Sequence, residues 1–259
     1  MQANKQEKRP SKNMYMLSII IPTYNESENI VHLLDRIKKN LFQKMFTEII
    51  IVDDNSPDGT SNIVQNYIKQ NPIKNSEKTL PYSIKIITRK IKNGLIPAIL
   101  EGVKNSYGDY ILIMDADLSH PPELIPKMIE KLLENPNSIV IASRYIKNGA
   151  IIGWPFKRKL ISKGASKIAR LGLHVNNVTD PMSGFFIVPR LILNKIQIDT
   201  KGYKILLEIL VKSHNMPIQE IPYTFHDRTF GKSKMSSNVI FDYISSVWHL
   251  YKYGKKSRK

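Results

Sequence analysis

Two aspartates separated by one residue form the stretch of the sequence best suited to chemistry. Asp115 and Asp117 follow the apolar run 110–114, which has the length and composition of a buried strand. In an open α/β sheet, ligands bind at the carboxyl ends of the strands. Carboxylate oxygens at such a position could hold Mg²⁺ or Mn²⁺ and link it to the phosphate groups of a ligand. The spacing is short and common, and a solvated turn after a strand would also account for it.

Polar side chains also follow three other predicted strands. The apolar runs 16–21, 49–52 and 139–142 have the continuous hydrophobic pattern of parallel strands that are buried on both faces. They end in Pro22-Thr-Tyr-Asn-Glu26, Asp53-Asp54-Asn55 and Ser143-Arg144, respectively. Parallel strands have their carboxyl ends at one edge of a sheet, so we expect all these clusters to form one cleft. Its acceptor groups would suit a base, a ribose and a metal-bound diphosphate.

The segments between these strands predict helices and a doubly wound α/β domain. Helical spacing of apolar residues is found in 28–40, 60–68, 95–103 and 122–132, and a further strand is predicted at 84–87. This alternation predicts βαβ units and a mainly parallel sheet. Beyond residue 145 we expect amphipathic helices at 154–173 and 239–253, a helix at 203–211, and strands at 184–188 and 218–225. A single domain at 15–236 is therefore predicted, with a disordered basic tail at 1–14 and an amphipathic helix and basic tail at 237–259.

Composition narrows the class of protein. Apolar residues make up 42% of the 259 residues, which is enough for a folded core. The absence of cysteine excludes disulfides, zinc–thiolate sites and thiol catalysis. The net charge of +17 favours an anionic partner, such as a nucleic acid, an anionic membrane or a phosphorylated substrate. Because the sequence has no zinc finger, RNA-recognition signature or basic-aromatic platform, we expect no nucleic-acid partner.

Hydropathy indicates a peripheral rather than a spanning relation to any membrane. No apolar run reaches the roughly 18–20 residues that a spanning helix needs. The polar start of the chain is unlike a secretory signal, so we expect the protein on the cytosolic side of a membrane. The segments 154–173 and 239–253 mix apolar and basic residues. They fit surface helices packed on the core and helices lying at a membrane interface, and these interpretations are compatible.

The motifs taken together resemble a known enzyme family. Ser18-Ile-Ile-Ile-Pro-Thr-Tyr-Asn-Glu26, Val52-Asp-Asp-Asn-Ser-Pro-Asp-Gly-Thr60 and Met114-Asp-Ala-Asp-Leu-Ser-His-Pro-Pro122 are similar to motifs of the inverting glycosyltransferases of family two, which have the GT-A fold. With Asp180-Pro-Met-Ser-Gly-Phe185 and Arg228-Thr-Phe-Gly-Lys-Ser-Lys234, they resemble the members that transfer mannose from GDP-mannose to dolichyl phosphate. The resemblance covers residues 16–236 in the order found in the family.

The resemblance implies an activity and its setting. The expected reaction inverts the sugar, gives dolichyl β-D-mannosyl phosphate and GDP, and uses Mg²⁺ or Mn²⁺; its product would serve N-glycan, GPI-anchor and O- and C-mannosylation pathways. The implied location is the cytosolic face of the endoplasmic reticulum membrane, with small membrane-anchoring subunits as partners. Transfer of glucose from UDP-glucose to dolichyl phosphate is an alternative. A scaffold without activity is another, against which the intact Asp115, Asp117 and Arg228 argue.

The resemblance also implies roles for individual residues. Asp115, Asp117 and Arg228 match catalytic positions. Asp117 and Ser119 match positions beside the metal ion, and Asp115 is a further candidate ligand. The donor-binding positions are matched by Pro22, Tyr24, Glu26, Val52, Asp53, Asp54, Asp115, Ala116, Asp117, Arg144, Arg228 and Lys234. The acceptor phosphate positions are matched by Arg144, Arg158 and Ser162.

Several of these residues have structural alternatives. Arg144 could be a surface residue after a strand, and Lys157 or Lys159 could act in place of Arg158. Glu208 lies in an apolar helical pattern, where a carboxylate needs a partner; it could brace an arginine or reach solvent. His120, which precedes two prolines, is more typical of a turn or packing residue than of a metal ligand.

Overall fold

A computed structural model describes residues 15–42, 45–72, 82–199, 204–213, 215–227 and 237–257, with only the backbone described for 237–244 and 256–257. Arg228, Lys234, the tail at 1–14 and the last residues of the tail at 237–259 lie outside the described residues. The strands are β1 (Met16–Thr23), β2 (Phe46–Asp53), β3 (Tyr82–Thr88), β4 (Tyr110–Ile113), β5 (Ile139–Ser143), β6 (Ala150–Ile152), β7 (Phe186–Pro189), β8 (Ile218–Pro222) and β9 (Thr224–His226). The helices are α1 (Ile30–Lys39), α2 (Thr60–Gln70), α3 (Leu95–Lys104), α4 (Ile125–Glu134), α5 (Phe156–Leu173), α6 (Arg190–Leu193), α7 (Ile205–Lys212) and α8 (Ser237–Ser257), with a short 3-10 helix at Pro122–Leu124.

The main sheet is mostly parallel, as the sequence predicts. Its strand order is β3-β2-β1-β4-β7-β5-β8. Strands β1, β2, β3 and β4 run parallel, and β5 pairs in parallel with β8. Only β7 is antiparallel to its two neighbours among the described strands. Consequently the carboxyl ends of β1, β2, β4 and β5 lie at the same edge.

Helices cover both faces of this sheet. Successive residues of β1 point to opposite faces, so that Ile19 and Ile21 join one core cluster and Ile20 the other. Helices α1, α2 and α4 pack on the first face. The second face is covered by α3, α6, α7 and the buried residues of α5 and α8. Burial on both faces explains why the strands are continuously apolar. The described helices include none that is long and apolar enough to cross a membrane.

One strand prediction is confirmed with a direction that the sequence did not give, and another needs correction. The strand expected at 184–188 is β7, and its antiparallel direction could not be predicted from a four-residue apolar run. The strand expected at 218–225 is divided: β8 joins the main sheet, whereas β9 pairs with β6 in a separate two-stranded sheet. Tyr223 lies between them, donating its N–H to the Ser143 carbonyl and accepting from the Ala150 N–H through its own carbonyl. The chain therefore changes sheets at this residue.

The buried carboxylate of Glu208 has a partner that the sequence did not predict. Glu208 is fully buried on α7, and its Oε1 lies 2.7 Å from the Lys212 ammonium one turn later. The same oxygen accepts the backbone N–H of Asp199 at 2.8 Å. The expectation that Glu208 reaches solvent is therefore wrong, and a lysine on its own helix supplies the partner that a buried carboxylate needs.

Candidate active site

The predicted clusters lie at one edge of the sheet. Thr23 and Asp53 end β1 and β2 and are aligned with each other across the two strands. Asp115 lies two residues after the end of β4, and Ser143 ends β5, the second strand along from β4. The strands thus bring together the polar groups that the sequence places far apart, as expected for the ligand edge of an open α/β sheet.

Asp117 is held in place by the residue two positions after it. Its Oδ1 accepts hydrogen bonds from the Ser119 backbone N–H at 3.1 Å and from the Ser119 hydroxyl at 2.5 Å. Leu118 between them has φ +63°, the left-handed conformation that turns the backbone back towards the carboxylate. Both Asp117 and Ser119 are buried. In this arrangement Ser119 positions the Asp117 carboxylate, which is the stronger of the two as a ligand for a hard cation.

Asp115 differs from Asp117 in its exposure. Its side chain is 42% exposed, and its Oδ2 lies 3.9 Å from His120 Nε2. The Asp115 backbone N–H donates to His120 Nδ1 at 2.9 Å, so the proton of the neutral imidazole is on Nε2, facing the carboxylate. Asp115 is therefore oriented by His120 while its carboxylate remains accessible from the cleft.

His120 is a packing residue, as expected. It is buried and stacks on Phe185 at 5.2 Å between ring centroids. Burial lowers the His120 pKa, and the nearby carboxylates of Asp115 and Asp117 oppose that shift. Gly184 allows this packing, because a Cβ at that position would lie 3.0 Å from His120 Cε1 and 3.3 Å from Asp115 Oδ2. A neutral, buried imidazole supports the acidic turn and is not available as a solvent-facing base.

The two aspartates after β2 hold the neighbouring loops. Asp53 Oδ1 accepts from the Thr23 hydroxyl at 3.0 Å and the Ser56 hydroxyl at 2.5 Å. Asp54 pairs with the Arg89 guanidinium at 2.6 Å, and the N–H of Gly94, which precedes α3, donates to it at 2.7 Å. Both carboxylates are buried. Through these hydrogen bonds the two carboxylates hold the loops that border the predicted donor pocket.

The other predicted donor residues differ in accessibility. Tyr24 is partly buried, and the Lys92 ammonium lies 3.4 Å from its ring centroid. Glu26 is also partly buried and accepts from the Asn29 side chain at 2.8 Å. Pro22 is buried. Val52 and Ala116 are buried as well, and their side chains lie in the core. Tyr24 and Glu26 are thus the residues of this group that can offer side-chain surface to a ligand.

Arg144 forms a buried ion pair. Its Nε and Nη2 donate to the two carboxylate oxygens of Asp180 at 2.7 and 2.8 Å, and its backbone N–H donates to the same side chain at 3.1 Å. Asp180 is fully buried. Burial disfavours the charged guanidinium, but the hydrogen bonds and charge of Asp180 outweigh it and raise the Arg144 pKa. The alternative that Arg144 is a surface residue is wrong.

Arg158 and Ser162 lie close to this pair on α5. The Arg158 guanidinium stacks on Trp154 at 4.0 Å, and the Arg144 guanidinium lies 5.7 Å from the same ring. Arg158 also approaches Asp227 at 3.3 Å. Ser162 accepts a hydrogen bond from the Tyr145 hydroxyl at 2.7 Å. The aromatic ring of Trp154 thus brings together the two arginines predicted for the acceptor phosphate, whereas Lys157 is exposed to solvent.

Sequence reasoning assigned no role at this site to three of its residues: Asp180, Trp154 and Lys204. Lys204 precedes α7, and its charge interacts with Arg144, Arg158, Asp115 and Asp180. Burial lowers the Lys204 pKa, Arg144 and Arg158 lower it further, and the carboxylates raise it. A lysine directly before the run 205–211, which is apolar except for Glu208, was the available sequence signal. Arg228 and Lys234 lie outside the described residues, so the structure does not place them.

Comparisons with known proteins agree with this geometry. Residues 18–204 match the family model of glycosyl transferase family 2. The chain is 42% identical over 238 residues to a dolichol-phosphate mannosyltransferase of Pyrococcus furiosus, covering 92% of this chain but only 64% of that relative. It is 37% identical over 245 residues to the dolichol-phosphate mannosyltransferase of Saccharomyces cerevisiae, covering 90% and 86% of the two chains.

A solved structure extends the comparison to the fold. The mannosyltransferase of Pyrobaculum calidifontis in complex with GDP-Man and Mn²⁺ superposes with a TM-score of 0.60 at 14% identity, covering 96% of this chain and 66% of that one. The mostly parallel sheet with flanking helices is therefore the GT-A fold, as the sequence predicts. The chain belongs to glycosyl transferase family 2, in the group of the dolichol-phosphate mannosyltransferases.

Proposed function

We propose that this protein transfers mannose from GDP-mannose to dolichyl phosphate with inversion, giving dolichyl β-D-mannosyl phosphate and GDP. The observation that carries this proposal is the meeting of two unlike regions at one sheet edge. An acidic turn with the accessible Asp115 faces the donor side, and two arginines around Trp154 form the acceptor side. The names of the relatives support the choice of sugar and lipid.

The acidic turn fits a divalent cation held jointly by protein and donor. Asp117 would be the principal ligand, with Ser119 beside it and Asp115 on the sugar-diphosphate side. The described residues contain no cluster of three or more potential metal ligands. One or two carboxylates with substrate phosphates completing the shell is the usual arrangement for Mg²⁺ and is also suited to Mn²⁺. The bound ion would neutralise charge that develops on the departing diphosphate. Mn²⁺ in the Pyrobaculum structure supports a divalent ion here.

The acceptor side fits a phosphate monoester. A guanidinium pairs well with phosphate oxygens, and Arg144, Arg158 and Ser162 would position the lipid phosphate. The indole N–H of Trp154 is buried and has no hydrogen-bond partner among the described residues, so it is a further candidate donor. An ionised phosphate is already a nucleophile and needs no general base, which agrees with the buried, neutral His120.

The bond changes follow from this placement. An oxygen of the acceptor phosphate attacks C1 of the mannose from the face opposite the diphosphate. The bond from C1 to the diphosphate oxygen breaks, and GDP leaves with the electron pair. Attack from the opposite face inverts the anomeric centre and gives the β-linked product. Arg228 and Lys234 would add positive charge near the diphosphate. Catalysis would then rest on positioning and charge stabilisation.

The proposed setting is the cytosolic face of the endoplasmic reticulum membrane, with small membrane-anchoring subunits as partners. Support comes from α5, which exposes Phe156, Leu160, Ile161, Ile168 and Leu171. Apolar side chains beside lysines are typical of a helix lying at a membrane interface. A membrane contact at α5 would bring the acceptor lipid close to Arg158 and Ser162 on the same helix.

The deciding experiment is the transfer of radiolabelled mannose from GDP-mannose to a dolichyl phosphate analogue in detergent. We expect turnover with Mg²⁺ or Mn²⁺ and little or none after chelation. UDP-glucose serves as the competing donor and polyprenol without phosphate as the competing acceptor. Faster transfer from UDP-glucose, or transfer to the free alcohol, would contradict the proposal.

A further inference from the structure

A basic cavity lies along α5, on the side of the helix next to the proposed acceptor site. It has a volume of about 380 Å³ and is open to solvent. Its lining comprises Tyr145, Lys163, Ser166, Lys167, Arg170, Leu171, Asn176 and Thr179. Neither the fold nor the proposed transfer reaction requires a cavity here, and none of the proposed donor or acceptor residues lines it.

The charges around this cavity favour an anion. Lys163, Lys167 and Arg170 follow one another at positions i, i+4 and i+7 and so project from one face of α5. No carboxylate is among the lining residues in the described part of the chain. The Glu220 carboxylate is engaged by the backbone N–H groups of Thr179, which lines the cavity, and of Asp180.

Two buried polar groups in the lining have no hydrogen-bond partner among the described residues. Ser166 is only 4% exposed, and its hydroxyl has no hydrogen-bond partner among the described residues. The same holds for Arg170 Nε, although Arg170 Nη2 donates to the Asn176 carbonyl at 3.2 Å and is thereby fixed at the wall. Buried donors left without partners are costly. A ligand with several acceptor oxygens, such as a phosphate group, would satisfy both.

The surface around the cavity indicates which kind of phosphate-bearing ligand would bind there. Leu171 lines the cavity and is exposed, and it continues into the apolar surface of α5 formed with Leu160 and Ile168. A charged pocket that borders an exposed apolar surface matches a lipid, whose headgroup and acyl chains are joined in the same way. We propose that this cavity binds the phosphate of an anionic membrane-lipid headgroup, which rests on the proposed membrane contact of α5.

This lipid is distinct from the acceptor lipid. Tyr145 lines the cavity and its hydroxyl donates to Ser162 of the proposed acceptor side, so this residue lies between the two sites. Ser166 lies one helical turn beyond Ser162 and faces the cavity lining. The headgroup would therefore orient α5 on the membrane without occupying the place of the reacting phosphate.

Sedimentation with lipid vesicles tests the proposal. The full chain is mixed with vesicles of phosphatidylcholine alone or of phosphatidylcholine with phosphatidylserine. For Lys163→Gln/Lys167→Gln we expect affinity for the anionic vesicles to fall about tenfold or more. Ser166→Ala changes no charge and is expected to weaken binding roughly two- to tenfold. The matched control is Lys69→Gln/Lys127→Gln, which removes two exposed lysines from α2 and α4 and should have a much smaller effect.

Four results would overturn the proposal. An equal loss of vesicle binding in the control shows diffuse attraction of the basic protein, as does an unchanged Ser166→Ala. If inorganic phosphate binds the chain in a titration, and that binding depends on Lys163 and Lys167 while vesicle binding does not, the cavity belongs to a free anion. If Lys163→Gln/Lys167→Gln raises the KM for the dolichyl phosphate analogue in detergent, the cavity belongs to the acceptor. Unchanged mannosyl transfer in detergent, with lost vesicle binding, is the expected pattern and separates this proposal from the reaction itself.

Discussion

The carboxylates at the carboxyl edge of the sheet fall into two kinds. Asp53, Asp54 and Asp180 are buried and hydrogen-bonded to neighbouring protein groups. Asp115 is partly accessible, and Asp117 is anchored through one oxygen by Ser119. Residue type alone does not separate the two kinds, because each is an aspartate directly after a strand or turn. Asp53, Asp54 and Asp180 support the walls of the cleft, and we assign the reaction to Asp115 and Asp117.

Removal of the Asp117 charge tests this division. Asp117→Asn keeps an acceptor oxygen for Ser119 but removes the negative charge proposed to hold the cation. We expect kcat for mannosyl transfer to fall by about 100-fold or more, which is the scale for losing one charge-stabilising group. Initial rates at saturating Mg²⁺ or Mn²⁺ measure the effect. Glu134→Gln removes an exposed carboxylate from α4 and should leave the rate unchanged. Normal turnover of Asp117→Asn would remove this residue from the proposed metal site.

The Arg144–Asp180 pair gives a prediction about stability. Arg144→Met would leave the fully buried Asp180 without its bidentate partner, and we expect a loss of about 3–5 kcal/mol in the free energy of unfolding. Asp180→Asn should also destabilise the protein, since it leaves the guanidinium without its counter-charge.

Urea unfolding of both single variants and the double variant completes the cycle. The free energy of unfolding should fall by less in the double variant than in the two single variants added together. The difference is a coupling free energy of about 0.5–3 kcal/mol. Strictly additive losses would mean that the two side chains do not stabilise each other. The cycle also keeps the structural effect of Arg144 separate from its proposed contact with the acceptor phosphate.

At the scale of elements, the loops around the donor pocket are tied together by short polar side chains. Asp58 accepts the backbone N–H of Ser27, after β1, and the N–H and hydroxyl of Thr60, the first residue of α2. Burial raises the Asp58 pKa, but these hydrogen bonds lower it by more, so its net shift is downward. One carboxylate thus links the turn carrying Tyr24 and Glu26 to the start of α2.

The downward shift of the Asp58 pKa predicts how acid weakens this link. A lowered pKa in the folded state contributes stability above the ordinary value of 3.8, and that contribution is lost as the pH falls through the folded value. Because Asp58 is exposed and screened by water, we expect Asp58→Ala to cost only about 1 kcal/mol at neutral pH. The difference from the unmodified protein should shrink in urea unfolding below pH 4. Glu28→Ala, at an exposed carboxylate of the same turn, is the control, and a difference that grows in acid would contradict the assignment.

The packing of α3 on the sheet depends on a glycine. A Cβ at Gly102 would lie 2.5 Å from Ile20 Cγ2 and 3.1 Å from Val52 Cγ2. We expect Gly102→Ala to destabilise the protein by about 1–3 kcal/mol through overpacking. Gly164→Ala on α5, where the added methyl meets nothing within 4 Å, should stabilise it by about 0.4–1 kcal/mol. Opposite signs in thermal unfolding would support this account, whereas equal shifts would show that helix propensity alone decides.

Local pattern predicted those elements whose own residues determine them. Parallel strands buried on both faces are continuously apolar, so β1, β2, β4 and β5 and the polar residues at their ends could be found from the sequence. The reversed direction of β7 could not, because an apolar run is the same in both directions. The three-residue strands β6 and β9 are too short to show a period. Pairs such as Arg144–Asp180 join residues 36 positions apart, and no local pattern records such a contact.

At the scale of the whole molecule, the proposed donor pocket and the proposed membrane contact lie in different parts of the chain. The acidic turn and the loops of the first half surround the proposed donor pocket, whereas α5 in the second half exposes five large apolar side chains beside lysines. The large positive charge is therefore compatible with an acidic donor site, since the two lie on different elements. Arg144 and Arg158, between them, would be the point at which the lipid phosphate meets the sugar.

Binding of the nucleotide should stabilise the whole domain. The proposed donor pocket is built from the loops after β1, β2 and β4, so a ligand there would restrain all three. A ligand at 100 times its Kd adds about 2.7 kcal/mol of stability, which corresponds to a rise in Tm of roughly 5–10 °C for a chain of this size. We expect this rise with GDP and Mn²⁺ together, measured by differential scanning fluorimetry. It should be much smaller with UDP and Mn²⁺, with GDP after chelation, and in Asp117→Asn with GDP and Mn²⁺. An equal rise with UDP would contradict a guanosine pocket, and a full rise in Asp117→Asn would show that the nucleotide binds without the proposed ion.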